Sequence, residues 1–198
     1  VDMVSEITVS PSAFSSANVT GGRGAAGRAG SVSKYGGNIK GQQNLLKALV
    51  WLQKVQKPDG SWGEDKGTTP GLTGLALLTF LAHGETIHSK KFGKTVKDAI
   101  QWLLNDTINF GGGGGKGSYS HSIKTYALAE AYTMTGLSSI EGKLMECIKA
   151  VVNNQQSAGA FHYGYNKDPK EEDLSLSGWT FQAMKAAYST GLEIPGLE

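Results

Sequence analysis

The stretch SHSIKTYALAEAYTMTG, residues 120–136, decides the fold of this chain. Its residues are apolar or small almost all the way round a helix, which is typical of a helix buried on every side. Residues 71–84 and 174–191 have the same character. Around them lie amphipathic segments, in which apolar residues such as Leu45, Leu49 and Leu52 share one helical face. The sequence therefore predicts that buried inner helices alternate with amphipathic outer helices.

The two helix types recur at a nearly constant spacing. Trp51 and Trp102 lie 51 residues apart on successive outer helices. Three threonines on the inner helices each precede a glycine by 11 residues, in the pairs Thr73 and Gly84, Thr125 and Gly136, and Thr180 and Gly191. These glycines suit helix C-terminal caps, where a positive φ is wanted. We predict an all-α fold of three helix-hairpin repeats, each of about 50 residues, stacked as a curved double layer.

Residues 1–41 differ in composition from residues 42–198. They are rich in glycine, serine and alanine, and they contain too little apolar surface to form a core. We predict an irregular N-terminal arm at residues 1–41, either flexible or laid over the repeat domain at residues 42–198.

Composition excludes several classes of function. The 198 residues carry a net charge of +2, which does not favour nucleic-acid binding. No stretch approaches the 18 apolar residues of a membrane-spanning helix. Cys147 is the only cysteine, so neither an intrachain disulfide nor a multi-cysteine zinc site is expected, and we predict no metal and no cofactor. The compartment stays open; the exported part of a longer bacterial protein is one alternative.

A motif follows the first outer helix. Residues 48–63 read ALVWLQKVQKPDGSWG, in which an apolar helix is followed by Gln56, Gly60 and Trp62. This segment resembles the QW motif of the squalene–hopene cyclase and oxidosqualene cyclase family. A degenerate copy is formed by Gln156, Gly159 and Phe161. The resemblance covers nearly the whole chain from about residue 21, and extends to uncharacterised bacterial proteins with a squalene-cyclase-like domain.

This resemblance implies an α/α toroid, the fold shared with protein prenyltransferase β subunits, and a structural role for both copies of the motif. Such toroids close with about six helix pairs, and this chain has sequence for three. The chain therefore resembles a partial toroid. We expect it to be completed by self-association or by the rest of a longer chain, with a hydrophobic ligand as one further possibility.

The catalytic motifs of the two enzyme groups are not present. The cyclases place an Asp-x-Asp-Asp acid at the head of an inner helix, where this chain has Asp173 with different spacing. An acid at that position also suits an N-terminal cap. The zinc prenyltransferases use an Asp-x-Cys pair, whereas Met145 and Glu146 precede Cys147. Whether the chain is an enzyme is left open by the sequence.

Five residues are candidates for contact with a ligand or cavity. His121 lies at the head of the second inner helix, and Glu130 lies within the apolar part of that helix. A carboxylate there must be paired or protonated, so Glu130 either pairs with a lysine or a backbone group of a neighbouring helix, or faces a ligand. Tyr126 and Trp179 either line a cavity or pack in the core. Asp173, at the head of the third inner helix, is the fifth candidate.

Two functional hypotheses follow. The first is a non-catalytic toroid-type domain that binds a protein, a lipid or a polysaccharide, and its support is the absence of both catalytic motifs. The alternative is an enzyme, or part of one, that acts on isoprenoid or polyprenyl substrates. Its support is the aromatic character of the inner helices.

Overall fold

The computed structural model describes residues 21–107, 116–167 and 172–196. The regular structure within these ranges is helical, with no β-strand, which confirms the predicted all-α class. The helices of these ranges are α1 (Ala25–Tyr35), α2 (Ile39–Lys54), α3 (Thr69–Ala82), α4 (Gly93–Asn105), α5 (Lys116–Thr135), α6 (Ser138–Asn153) and α7 (Leu174–Ser189). Short 3-10 turns lie at Gly21–Arg23 and Tyr163–Tyr165.

The helices from α2 onward form three pairs in two layers. In the inner layer α5 packs against both α3 and α7. The sequence predicts that all three are buried on every side, which is wrong for α7, because Phe181 is 48% and Tyr188 61% exposed. In the outer layer α2 packs on α3, α4 on α3 and α5, and α6 on α5 and α7. Of the 20 residues of α5, 13 are buried, which makes this helix the centre of the described chain.

Two glycines bring α3 close to α5. A Cβ at Gly71 would lie 2.9 Å from Oγ of Ser120 and 3.0 Å from its Cα. A Cβ at Gly74 would lie 3.2 Å from the carbonyl oxygen of Ile123. The small residues of the inner helices therefore let the two backbones approach, because a larger side chain at either position would push the helices apart.

The inner helices end as the glycine pattern predicts. Gly84, Gly136 and Gly191 follow α3, α5 and α7, and their φ values are +86°, +65° and +76°. Each of these glycines donates its N–H to a carbonyl of the last helical turn. Since only glycine adopts positive φ without steric cost, these three residues set the helix ends.

The predicted arm is helical over much of its described part. Residues 1–20 lie outside the described residues, but α1 occupies residues 25–35, so the prediction of irregular structure there is wrong. α1 has no buried residues, and Gly36 ends it with a left-handed φ of +79°. Arg28 donates to the carbonyl of His83 at the end of α3. Arg28 thus holds α1 against the end of α3, although α1 buries none of its own residues.

Candidate functional site

The loop between α2 and α3 is tied to the next outer helix through Gln56 and Gly60. Nε2 of Gln56 donates to the carbonyl oxygens of Gly60, at 2.9 Å, and of Thr95 in α4, at 3.0 Å. Gly60 has a φ of +94°, and a Cβ there would lie 2.4 Å from the carbonyl oxygen of Asp98 in α4. This loop can lie against α4 only because a glycine occupies that position.

Trp62 connects the same loop to both helices of the first pair. Its Nε1 donates to the carbonyl oxygen of Leu52 at 3.0 Å, near the C-terminal end of α2, where helix carbonyls lack intrahelical partners. Its backbone N–H donates to Oγ1 of Thr73 in α3 at 3.1 Å. The ring is 7% exposed and lies 6.3 Å from the ring of Phe80. Trp62 therefore caps α2 and packs against α3.

The loop between α6 and α7 repeats this geometry, but one residue earlier than predicted. Nε2 of Gln155 donates to the carbonyl oxygen of Gly159 at 2.8 Å, which is the bond that Gln56 makes in the first copy. Gln156 is buried instead, and its Nε2 donates to the carbonyl oxygen of Asn166 at 3.0 Å. The prediction of Gln156 as the motif glutamine is therefore wrong. The spacing separates the two glutamines, because Gln155 precedes Gly159 by four residues, as Gln56 precedes Gly60, whereas Gln156 precedes Gly159 by three.

Phe161 takes the place of the tryptophan in this second copy. Its N–H donates to Oγ of Ser177 at 3.0 Å, as Trp62 donates to Thr73. The side chain is fully buried. A phenylalanine has no ring N–H, so this copy keeps the packing and lacks the ring hydrogen bond. At the end of α6, Nδ2 of Asn154 donates to the carbonyl oxygen of Ala150 instead, at 2.7 Å.

Asp173 caps α7. Its Oδ1 accepts from the backbone N–H of Leu176 at 2.6 Å and from the hydroxyl of Tyr119 at 3.1 Å. The hydrogen bond from Leu176 is the main cause that lowers the pKa of Asp173 to about 2. This carboxylate is ionised at neutral pH and cannot serve as a proton donor there.

Glu130 pairs with the arm. Its Oε2 lies 2.6 Å from Nη1 of Arg23. The carboxylate is therefore paired, but its partner lies in the segment before α1 and not on a neighbouring helix. Tyr126 lies one turn earlier on the same face of α5, and burial, followed by the charge of Glu130, raises its pKa. Trp179 is partly exposed on α7. The charge of Glu130 is balanced by Arg23 at this end of the inner layer.

His121 is buried near the start of α5. Its Nε2 lies 3.0 Å from the carbonyl oxygen of Cys147 in α6. Burial lowers its pKa to about 4, so the imidazole is neutral at pH 7. Nine residues separate His121 from Glu130, which is about 13 Å along a helix. The five predicted residues therefore do not form one site.

A pocket of about 760 Å³ lies where the N-terminal ends of α3 and α5 meet the C-terminal end of α4. His121 is the predicted candidate that lines it. Thr69 and Ser120 contribute from the starts of α3 and α5, and Trp102 contributes from α4. Its size falls within the range of small-molecule sites, about 300–1,000 Å³.

The lining of this pocket is polar and electrically balanced. Its described lysines are Lys57, Lys66, Lys116 and Lys124, and its described acids are Asp59, Glu64, Asp65 and Asp106. Four positive and four negative charges cancel, and the neutral His121 adds none. The described lining of the pocket therefore offers many hydrogen-bond donors and acceptors but carries no net charge.

Ion pairs organise this lining. Nζ of Lys124, a side chain that is almost completely buried, lies 2.6 Å from Oδ2 of Asp106. Nζ of Lys116 lies 3.1 Å from Oδ2 of Asp65, whose other oxygen accepts from the N–H of Gly67 at 2.8 Å. That backbone bond is the main cause that lowers the pKa of Asp65. Asp65 is thus held as an ionised hydrogen-bond acceptor.

Sequence reasoning missed this pocket, although one signal was present. Lys124 lies within the apolar inner helix, and the argument applied to Glu130 applies equally to it: a buried charge needs a partner. The partner, Asp106, lies 18 residues earlier, at the end of α4. The pair Lys116 and Asp65 is separated by 51 residues, so only the folded chain brings those side chains together.

Comparisons of the chain with protein-family models, curated proteins and solved structures found no match. The described residues contain no group of three or more His, Cys, Asp or Glu side chains that could hold a metal ion. None of the helices in the described ranges combines the length and apolar character that crossing a bilayer requires.

Proposed function

We propose that this chain is a non-catalytic binding domain, built on a partial α/α toroid of the squalene-cyclase type. Its polar pocket binds an uncharged, hydroxyl-rich ligand, of which an oligosaccharide is the class we favour. The observation that carries the proposal is the lining of the pocket, in which four lysines balance four acids. Of the ligand classes considered from the sequence, a polysaccharide fits this lining better than a lipid does.

Asp173, which stands where the cyclases place their acid, and Glu130, the acid within the apolar inner helix, are both engaged elsewhere. Such an enzyme needs a protonated carboxylic acid aimed into an apolar cavity. Asp173 is a helix cap whose pKa is lowered to about 2, and Glu130 is ion-paired with Arg23. These roles favour binding over proton-initiated chemistry on an isoprenoid chain.

The pocket suits a neutral polar ligand for electrostatic reasons. A phosphorylated or carboxylated ligand gains little where the fixed charges cancel, and it loses its hydration on entry. A hydroxyl group can donate to Asp59 or Asp65 and accept from Lys66 or Lys116 without that cost. Trp102 adds an aromatic surface at the edge, against which an apolar face of a sugar ring can pack.

Titration of ¹⁵N-labelled protein with maltoheptaose, cellohexaose and chitohexaose tests the proposal. We expect one of them to move the amide resonance of Gly67 and the indole resonance of Trp102. The indole of Trp51, which does not line the pocket, serves as the internal control. Farnesol is the probe for the alternative function.

Variants sharpen this experiment. Lys66→Ala should weaken binding of the active saccharide, whereas Lys90→Ala, an exposed lysine that does not line the pocket, should not. If none of the saccharides changes the chemical shifts of Gly67 and Trp102, the proposal is contradicted. Shift changes with farnesol alone would favour the isoprenoid enzyme instead.

A further inference from the structure

The two ends of the double layer carry grooves that lie outside the polar pocket. One groove, of about 380 Å³, is formed on α2 by Leu46, Val50 and neighbouring polar residues. The other, of about 520 Å³, lies between the α6–α7 loop and α7, where Gly159, Leu174 and Phe181 form part of its wall. Each groove is on the last helix pair described at its end of the array.

The first helix pair shows what fills the equivalent of the second groove. There α4 lies on the α2–α3 loop, with the carbonyl of Thr95 accepting from Gln56 and the carbonyl of Asp98 against Gly60. An outer helix therefore covers this loop by presenting its backbone carbonyls to the glutamine and glycine of the motif. The side chain of Gln53 adds a bond to Oγ1 of Thr95 at 3.2 Å.

The third pair has the same loop without such a cover among the described residues. A Cβ at Gly159 would meet no atom closer than Nε2 of Gln155, at 3.9 Å, whereas Gly60 is in close contact with α4. At the loop end of the helices, Thr73 and Ser177 accept the equivalent N–H groups of Trp62 and Phe161, so Phe181 lies where α3 has Leu77. The glycines at the opposite helix ends pair Thr73 with Thr180 instead, three residues further on. Leu77 is 0% exposed and Phe181 is 48% exposed.

The register of the repeat identifies a helix of this chain that can fill the groove. α2 and α4 end at Lys54 and Asn105, which are 51 residues apart, as Trp51 and Trp102 are. The positions of Thr95 and Asp98 in α4 therefore correspond to Asn44 and Lys47 in α2. Both residues are exposed, so α2 can present the same backbone positions to a second motif loop.

Charge complementarity favours the same pairing. The groove on α2 is bordered by Lys47 and Lys91, and the groove on α7 is bordered by Glu172 and Asp173. α2 itself carries three lysines, Lys40, Lys47 and Lys54, and no acidic residue. Opposite charges on the two grooves steer the ends of separate copies toward each other.

We propose that α2 of a second copy of this chain docks in the groove between the α6–α7 loop and α7, as α4 docks on the α2–α3 loop. Nε2 of Gln155 then donates to a carbonyl of α2 at the position of Asn44, and the side chain of Phe181 is covered. The contact is head-to-tail, so it closes into a ring or extends as a filament, depending on its rotation.

Sedimentation velocity over a range of micromolar concentrations tests this interface. We expect concentration-dependent association, weakened by roughly tenfold in Kd by either Lys47→Glu or Glu172→Lys, because each places like charges across the contact. The double variant, with both charges reversed, restores an affinity close to that of the unmodified chain. Far-UV circular dichroism of each variant checks that the fold is kept.

Lys149→Glu is the matched control, since Lys149 is exposed on α6 and borders neither groove. It should associate as the unmodified chain does. A monomer at every concentration overturns the proposal. Association that neither single reversal weakens, or that the double reversal fails to restore, overturns it as well, because the contact would then lie elsewhere.

Discussion

Replacing Trp62 with alanine tests whether the α2–α3 loop holds the first helix pair together. The side chain is 7% exposed, and its Nε1 donates to the carbonyl of Leu52. Truncating a buried aromatic side chain costs about 3–5 kcal/mol in unfolding free energy, because it removes apolar contacts and leaves a cavity, here beside Phe80. About 1 kcal/mol of that cost is the lost indole hydrogen bond.

Trp62→Phe separates the packing from the hydrogen bond. Phe161 occupies the equivalent position in the third pair, where it is fully buried, so a phenyl ring is compatible with this loop. The variant removes the bond to Leu52 and part of the ring volume. We expect the free energy of unfolding to fall by about 1–2 kcal/mol, well below the loss in the alanine variant.

Urea unfolding followed by far-UV circular dichroism measures both variants. At about 2–4 °C per kcal/mol for a chain of this size, Trp62→Ala should also lower Tm by roughly 10 °C. An alanine variant within about 0.5 kcal/mol of the unmodified chain, at unchanged m value, would refute the assignment, since surface substitutions typically fall in that range.

Three further predictions follow from the buried groups. Gly60→Ala should lower the free energy of unfolding by about 3 kcal/mol or more, since its Cβ would lie 2.4 Å from a carbonyl oxygen of α4. Gly159→Ala, whose Cβ has 3.9 Å of space, should lower it by only about 1 kcal/mol of backbone strain. Urea midpoints compare the two variants. Burial lowers the pKa of His121 from 6.5 to about 4, so the unfolded chain takes up the proton first as pH falls. The free energy of unfolding should therefore be highest above pH 6.5 and decline by roughly 3 kcal/mol toward pH 4. His121→Gln should flatten this decline, as measured by urea titrations across that pH range. Lys124→Met leaves Asp106 without its buried partner and should cost about 3–5 kcal/mol by the same assay, while adding Asp106→Leu should recover much of that loss.

The helices of the repeat could be predicted because their signals are local. Residues 120–136 are apolar or small round the whole helix, and α5 is buried accordingly. Gly84, Gly136 and Gly191 mark the ends of the inner helices through a conformation that other residues avoid. Periodicity and capping act within one turn or two, so one sequence is enough to detect them.

The arm and the pocket depend on contacts between distant residues. Nothing in the composition of residues 25–35 indicates that Arg28 will meet the end of α3, and without that contact the segment resembles a flexible linker. The pocket joins Lys116 to Asp65 across 51 residues. Its charges become one site only when the ends of α3, α4 and α5 converge, which helical periodicity does not predict.

Native-state hydrogen exchange tests the central claim most directly, which is that α5 lies at the centre of a two-layer array of helix pairs. We predict that the amides of residues 123–132 exchange most slowly, at a rate set by global unfolding, because α3, α4, α6 and α7 all pack on this helix. The amides of α1, which has no buried residues, should exchange fastest among the helices. Exchange in α5 as rapid as in α1 would contradict the architecture.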